Sequence, residues 1–350
     1  MGDLTLPLQI LTGVPEGLLD CEAQALEAAL GRSSLLFIEG KCEPPLFVSV
    51  LLHGNETSGW DGVRRYLLDN PRPARSIVLF IGNVKAAAQG VRVLPGGQDY
   101  NRIWRNAEGP GGALAAAVLA ALSDRVLFAA IDLHNNTGHN PYYSVLTDLD
   151  PANLGLAFLF SDHAVYVEEP DTVLTRAFAG RCPSVTLETG PVGDRRCAER
   201  VYDFIDRCCL LQSVPAGTSD PLQLYRAEAR VHIREGISFS FSGESGDSAE
   251  KGANEKTGTQ RQKTPLILTG GVEAVNFHEL SAGTLFGTCE ATVDSLLRVL
   301  DVEHRDVTSA YFEISNGELR LRKSVVPAMY TTDPFVVRQD CLCYFMQRMN

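Results

Sequence analysis

Apolar runs at 34–39, 45–52, 75–81, 126–133, 164–168 and 184–188 constrain this chain more than any other feature. Helical patterns near 16–31, 57–69, 112–123 and 194–212 alternate with them. Successive side chains of a strand point to opposite faces, so a strand apolar at nearly every position must be covered on both. The pattern predicts an α/β fold, a sheet with helices on both faces. The apolar stretch Gly112-Ala-Leu-Ala-Ala-Ala-Val-Leu-Ala-Ala-Leu122 is shorter than the roughly 20 residues a membrane helix needs. It reads as a buried crossover helix.

Three of these strands end on residues that carry chemistry. Leu46-Phe-Val-Ser-Val-Leu-Leu52 runs into His53-Gly-Asn-Glu56, an imidazole and a carboxylate at one sheet edge. Zinc takes nitrogen and oxygen ligands, and a catalytic site uses three protein ligands with one position open. The third ligand is expected at His134, which ends Val126-Leu-Phe-Ala-Ala-Ile-Asp-Leu-His134. Parallel strands that end on ligands at one edge are how open α/β sheets build sites. Asp132 shares a strand face with His134 and suits an anchor for it.

Cys182-Pro-Ser-Val-Thr-Leu-Glu-Thr-Gly190 is a third such strand, ending on Glu188. One carboxylate can take a proton from water and return it to a leaving nitrogen. Arg92 and Asp99-Tyr-Asn-Arg102 lie in the glycine-rich loop after the strand near 75–81. Arginine's planar fork suits a carboxylate, and a second arginine can stabilise an oxyanion.

His53-Gly-Asn-Glu56, Gly82-Asn83, Arg92, Asp99-x-Asn101-Arg102, Asp132-Leu-His134-Asn and Glu188 occur in the order of the zinc carboxypeptidase superfamily. They resemble its succinylglutamate desuccinylase/aspartoacylase branch, over residues 34 to 191. The resemblance implies a carboxypeptidase-like mixed sheet and one zinc ion per chain on His53, Glu56 and His134. It further implies that Arg92 polarises the scissile carbonyl and that Asn101 and Arg102 hold the substrate carboxylate. Glu188 would activate water and protonate the leaving amine.

The implied reaction cleaves an amide next to a free carboxylate, in an N-acyl amino acid or a short peptide. N-acyl amino acid deacylase is the first reading. A metallocarboxypeptidase releasing a C-terminal residue and a non-catalytic zinc-binding scaffold are the alternatives. A serine hydrolase lacks support, since no Gly-x-Ser-x-Gly elbow occurs. The sequence departs from the branch in two places. Phe178 stands ten residues before Glu188, where the branch has an arginine that reads an acidic acyl group. The tyrosine contributed by the C-terminal domain is not aligned, and Tyr330 is the nearest candidate. Tyr142 and Tyr143 are expected to line a pocket for an apolar or aromatic portion instead.

The catalytic domain is expected over 1–215 and a small β domain over 216–350, where apolar and polar residues alternate as in half-exposed strands. The polar stretch 242–264 is expected to be a disordered insertion. A net charge of −12 argues against nucleic acid and anionic membrane surfaces as partners. Assembly into a homo-oligomer is left open. Nine cysteines without a Cys-x-x-Cys give no thiolate zinc motif. The N-terminus lacks a secretory signal pattern, and Leu6 breaks the myristoylation pattern. Sequons at Asn55 and Asn135 would obstruct the metal loops if glycosylated, so a cytoplasmic location is expected.

Overall fold

The computed structural model describes residues 7–105, 108–217, 222–242 and 266–349. Residues 1–136 with 142–224 form one unit, and residues 137–141 with 225–350 form the other. The division expected after residue 215 stands at Leu224. Beyond Ser242, the insertion expected at 242–264 lies outside the described residues.

The first unit holds strands β1 (Gln9–Thr12), β2 (Ser34–Ile38), β3 (Leu46–Val50), β4 (Ile77–Ile81), β5 (Ala129–His134), β6 (Tyr143–Leu146), β7 (His163–Tyr166) and β8 (Ser184–Glu188). Their order is β1-β2-β4-β3-β5-β8-β6-β7. The sheet is mixed: β2 runs antiparallel to β4 and β6 antiparallel to β8, whereas β4, β3, β5 and β8 pair in parallel. The carboxyl ends of β3, β5 and β8 therefore share one edge.

Alternate strand residues feed two cores. Leu46, Val48, Val50, Ile131 and Val185 face one core, and Phe47, Val78, Phe80 and Ala130 face the other. Helix Ser58–Asp69 brings Trp60, Val63 and Tyr66 to the first core, and helix Arg195–Leu210 brings Val201, Phe204 and Ile205. These two helices approach closely at Gly62, where a Cβ would stand 2.5 Å from that of Val201. Helix Gly109–Ala121 covers the opposite face with Leu114, Ala115 and Val118. Each Val, Leu, Ile or Phe among them contributes about 1.5–3 kcal/mol when fully buried.

The helix expected near 16–31 is instead two 3₁₀ turns, Leu18–Asp20 and Ala23–Ala25, followed by the short helix Leu26–Leu30. The break falls at Cys21 and Glu22, which are extended, and Gly31 ends the last piece in the left-handed conformation. Strands β1 and β6 and helix Pro151–Phe160 were not legible as separate elements.

The second unit is β-rich. It contains β9 (Gln223–Ile233, whose first two residues fall in the first unit), β10 (Phe239–Phe241), β11 (Leu266–Leu268), β12 (Leu285–Cys289), β13 (Leu297–Asp301), β14 (Phe312–Ser315), β15 (Glu318–Leu321), β16 (Val326–Ala328) and β17 (Cys343–Arg348). Antiparallel pairing joins β13, β9, β17 and β16, and a second sheet runs β10-β11-β12-β15-β14. Phe286, Phe312, Tyr311 and Phe345 pack together in its core. Among the described residues no helix is long and apolar enough to cross a membrane.

Candidate active site

The strand-to-loop transitions at the shared edge are shaped by close backbone contacts. Leu51, just past β3, takes φ 58°, a left-handed conformation costing an L-residue about 1–2 kcal/mol. Gly54 has no side chain because helix Val84–Ala88 lies against it: a Cβ there would stand 2.3 Å from the Ala86 carbonyl carbon. Asn83 caps that helix by accepting the Ala86 N–H at 3.1 Å.

Asn135 fastens three loops together. Its Oδ1 accepts the Ser58 N–H (3.1 Å), while Nδ2 donates to Ser58 Oγ (2.9 Å), Thr189 Oγ1 (3.2 Å) and the Gly190 carbonyl (2.8 Å). Its own N–H donates to Glu56 Oε2 at 3.2 Å.

At the centre, His53 Nδ1 lies 2.8 Å from Glu56 Oε1 and His134 Nδ1 lies 2.7 Å from Glu56 Oε2. The two Nδ1 atoms are 3.2 Å apart. All three side chains are buried, and one ligand atom from each falls within 4.8 Å of the others. Both outer nitrogens are held by carboxylates: His53 Nε2 by Asp99 Oδ1 at 3.0 Å, and His134 Nε2 by Asp132 Oδ2 at 2.9 Å. Each histidine thus presents Nδ1 to the centre and donates from Nε2, the arrangement that orients metal-binding imidazoles.

The donor set fits zinc. Two imidazole nitrogens and a carboxylate oxygen are donors of the kind zinc takes, three of them from the protein at a catalytic site. The charges agree as well. Burial opposes ionisation of Glu56, yet the imidazoles of His53 and His134 hold its carboxyl well below the usual range. Burial likewise opposes a charged His134, but the carboxylates of Asp132 and Glu56 raise it well above the ordinary imidazole value. The pocket favours positive charge at its centre.

Glu188 stands beside this cluster as the register partner of His134. Burial pushes its carboxyl up to about 8, with Glu56 and Asp132 acting in the same sense and His134 and Arg92 opposing. Its Oε2 is buried and has no hydrogen-bond partner among the described residues. An orphaned buried acceptor costs about 1–3 kcal/mol, so it points to a group that arrives with a ligand. Arg92 spans the front: one nitrogen is 3.4 Å from Glu56 Oε1 and the other 3.6 Å from Asp99 Oδ2.

The remaining expected residues are placed differently from one another. Asn101 is buried, its Nδ2 3.2 Å from His134 Nε2 and its Oδ1 accepting the Leu174 N–H at 3.2 Å. Arg102 is half-buried and donates to the Asn101 carbonyl at 2.8 Å. Tyr142 packs edge-on against Phe160, under the Arg200 guanidinium at 4.4 Å. Tyr143, in contrast, is the antiparallel partner of Glu188 and shares its face. Tyr330 is fully buried in the second unit, stacked on Phe286 with centroids 5.2 Å apart.

Phe178 is fully buried and packs on Phe47 with centroids 4.7 Å apart. The arginines flanking it, Arg176 and Arg181, donate to the backbone carbonyls of Val167, Glu168 and Leu122. Sequence reasoning quoted Asp99 and Asn135 only as motif members. Their positioning roles emerge from the contacts to His53, Glu56 and the neighbouring loops.

Fold and edge cluster together define the class: a carboxypeptidase-like α/β protein with a His-Glu-His centre. Residues 43–202 match the family model of the succinylglutamate desuccinylase/aspartoacylase catalytic domain. Among solved structures, a succinylglutamate desuccinylase/aspartoacylase from Rhodobacter sphaeroides has a TM-score of 0.54 at 15% identity, over 90% of this chain and 88% of that chain. Murine aminoacylase 3 has a TM-score of 0.51 at 15% identity, over 88% of this chain and 97% of that chain. The succinylglutamate desuccinylase from Chromobacterium violaceum has a TM-score of 0.51 at 15% identity, over 89% and 86%. At these identities the likeness is one of fold. No curated protein sequence matches the chain.

Proposed function

We propose that the chain is a zinc-dependent amide hydrolase acting on a small molecule that carries a free carboxylate, an N-acyl amino acid deacylase. The observation that carries this reading is the pairing of a nitrogen–nitrogen–oxygen donor set with Glu188, a buried carboxyl whose second oxygen has no partner among the described residues. His53, Glu56 and His134 would hold one zinc ion, which supplies Lewis acidity toward water and the scissile carbonyl.

Glu188 takes the proton of the attacking water and delivers it to the departing amine. A carboxyl held near neutrality by burial suits both halves of that transfer. Arg92 donates to the oxyanion as it develops on the attacked carbonyl. Arg102 pairs with the substrate carboxylate through its planar fork. The Asn101 carboxamide, bonded to Leu174 and beside His134, fits a positioning role better than a direct contact with substrate.

The aromatic Phe178, packed in the core, leaves its position without a cation for an acidic acyl group. We therefore assign an uncharged acyl portion, with Tyr143 beside Glu188 as its neighbour.

The test is metal analysis of the purified protein, followed by a screen of N-acyl amino acids and short peptides with and without chelator. About one zinc per chain and chelator-sensitive release of an amino acid are expected. A protein that binds no metal would overturn the reading. Cleavage of peptides but not of N-acyl amino acids would move it to the carboxypeptidase class.

A further inference from the structure

The turn that follows Glu188 is held from two sides. On one side it is lashed to the segment that carries His134. The Thr189 N–H and Oγ1 donate to the His134 carbonyl at 2.9 and 2.8 Å. The Gly190 carbonyl accepts from Asn135 Nδ2 at 2.8 Å and from the Asn136 N–H at 3.1 Å. These bonds draw the turn toward the end of β5.

The other side is a wall of side chains. Successive residues of a strand point to opposite faces, so Tyr142 projects away from the face that Tyr143 shares with Glu188. Its ring lies against the backbone of Gly190. A Cβ at that glycine would stand 3.1 Å from Tyr142 Cε1 and 3.0 Å from Cys197 Sγ. Gly190 also takes φ 96°, a conformation that L side chains rarely adopt. Cys197, fully buried on helix Arg195–Leu210, donates from Sγ to the Pro191 carbonyl at 3.4 Å. The Tyr142 ring is itself fixed, with the Arg200 guanidinium 4.4 Å from its centroid and Phe160 edge-on to it. The Tyr142 carbonyl accepts from Ser161 Oγ at 2.6 Å.

We propose, on the reading of Glu188 as the proton-transfer group, that Tyr142 is a positioning residue. With Cys197 it buttresses the Thr189–Gly190 turn and so fixes Glu188 against His134. This gives Tyr142 a place behind the turn, instead of the pocket-lining role expected from the sequence. Interiors are close-packed, so a turn touched on both sides shifts only by opening a void or forcing a clash. Displacing a reacting group by about 1 Å can cost roughly 10²-fold in rate.

Kinetics of Tyr142→Ala and Tyr142→Phe on N-acyl amino acids with different acyl groups test the proposal. Tyr142→Ala should lower kcat about tenfold or more, by the same factor for every acyl group, with KM changed less than about threefold. Its zinc content should match the parent's. Tyr142→Phe keeps the ring against Gly190 and should restore most of the rate. A KM that rises by amounts depending on the acyl group would place Tyr142 in the pocket and overturn the proposal. Hydrogen exchange reads the buttress without turnover: peptides containing Thr189 and Gly190 should exchange faster in Tyr142→Ala than in the parent or Tyr142→Phe. Unchanged exchange would overturn the proposal too. A parent chain that turns over no N-acyl amino acid or peptide would remove the reaction assigned to Glu188, and exchange alone would then decide whether Tyr142 holds the turn. If Tyr142→Ala does not fold, Tyr142→Leu, which keeps apolar bulk but withdraws the ring edge from Gly190, should show the same losses.

Discussion

His134 and Glu188 are register partners at the carboxyl ends of two adjacent parallel strands, β5 and β8. Their side chains project from the same face, a strand spacing of about 4.8 Å apart along the sheet. A proposed metal ligand and a proposed proton-transfer group are thereby set side by side by backbone hydrogen bonding. Tyr143 continues the row on β6.

That pairing predicts a separation of roles. Glu188→Gln keeps the shape of the side chain and leaves His53, Glu56 and His134 untouched. Zinc content should remain near one per chain, and turnover should fall by about 10²–10⁴, the usual contribution of general acid–base catalysis. Metal analysis alongside steady-state kinetics checks both halves. A variant that turns over at close to the parent rate would remove Glu188 from the reaction.

Removing the metal should abolish turnover reversibly. Dialysis against chelator should yield an inactive protein that regains activity on adding zinc, whereas His134→Ala should not be rescued. Recovery of the His134→Ala variant by zinc would show that the ion sits elsewhere.

Asp99 and Asp132 each hold the outer nitrogen of a histidine. Asp132→Asn and Asp99→Asn should each lower zinc affinity about 10- to 100-fold, in line with the loss of an orienting carboxylate. Competition with a zinc-binding dye reads this directly. Equal affinity in both variants would make the two carboxylates bystanders.

Gly54→Ala should destabilise the protein although glycine-to-alanine changes commonly stabilise. The added methyl would meet backbone of Ala86 and Ala87 at 2.3 Å, and backbone cannot swing aside as a flexible side chain can. A loss of about 1–3 kcal/mol in urea unfolding is expected, the cost of overpacking a tight contact. An unchanged or raised midpoint would mean that helix Val84–Ala88 yields freely.

Phe178→Arg should not create a site for an acidic acyl group. The side chain would enter a core against Phe47, where an unpaired charge is costly enough to compromise folding. A stable variant with new activity on acidic acyl substrates would show that this position reaches the reaction centre.

The three members of the His53–Glu56–His134 cluster were legible because each follows an apolar strand and because strand period alone sends Asp132 and His134 to one face. The two-sided burial of the sheet was legible for the same reason: Phe47 and Val48, or Val78 and Leu79, are both apolar and face different cores. Segment 16–31 misled because its apolar spacing suits a helix, while the extended residues at Cys21 and Glu22 break it.

Local sequence thus determined which segments become buried strands and which residues stand at their ends, since both depend on side-chain period and on the polarity of neighbours. Tertiary structure alone decided the strand order β3-β5-β8-β6, and with it the juxtaposition of His134, Glu188 and Tyr143. It alone assigned Asp99 to His53, 46 residues away, and made Asn135 a fastener between loops 77 and 55 residues apart. Such contacts depend on how strands pair and loops close across the sheet, a long-range choice that no local periodicity encodes.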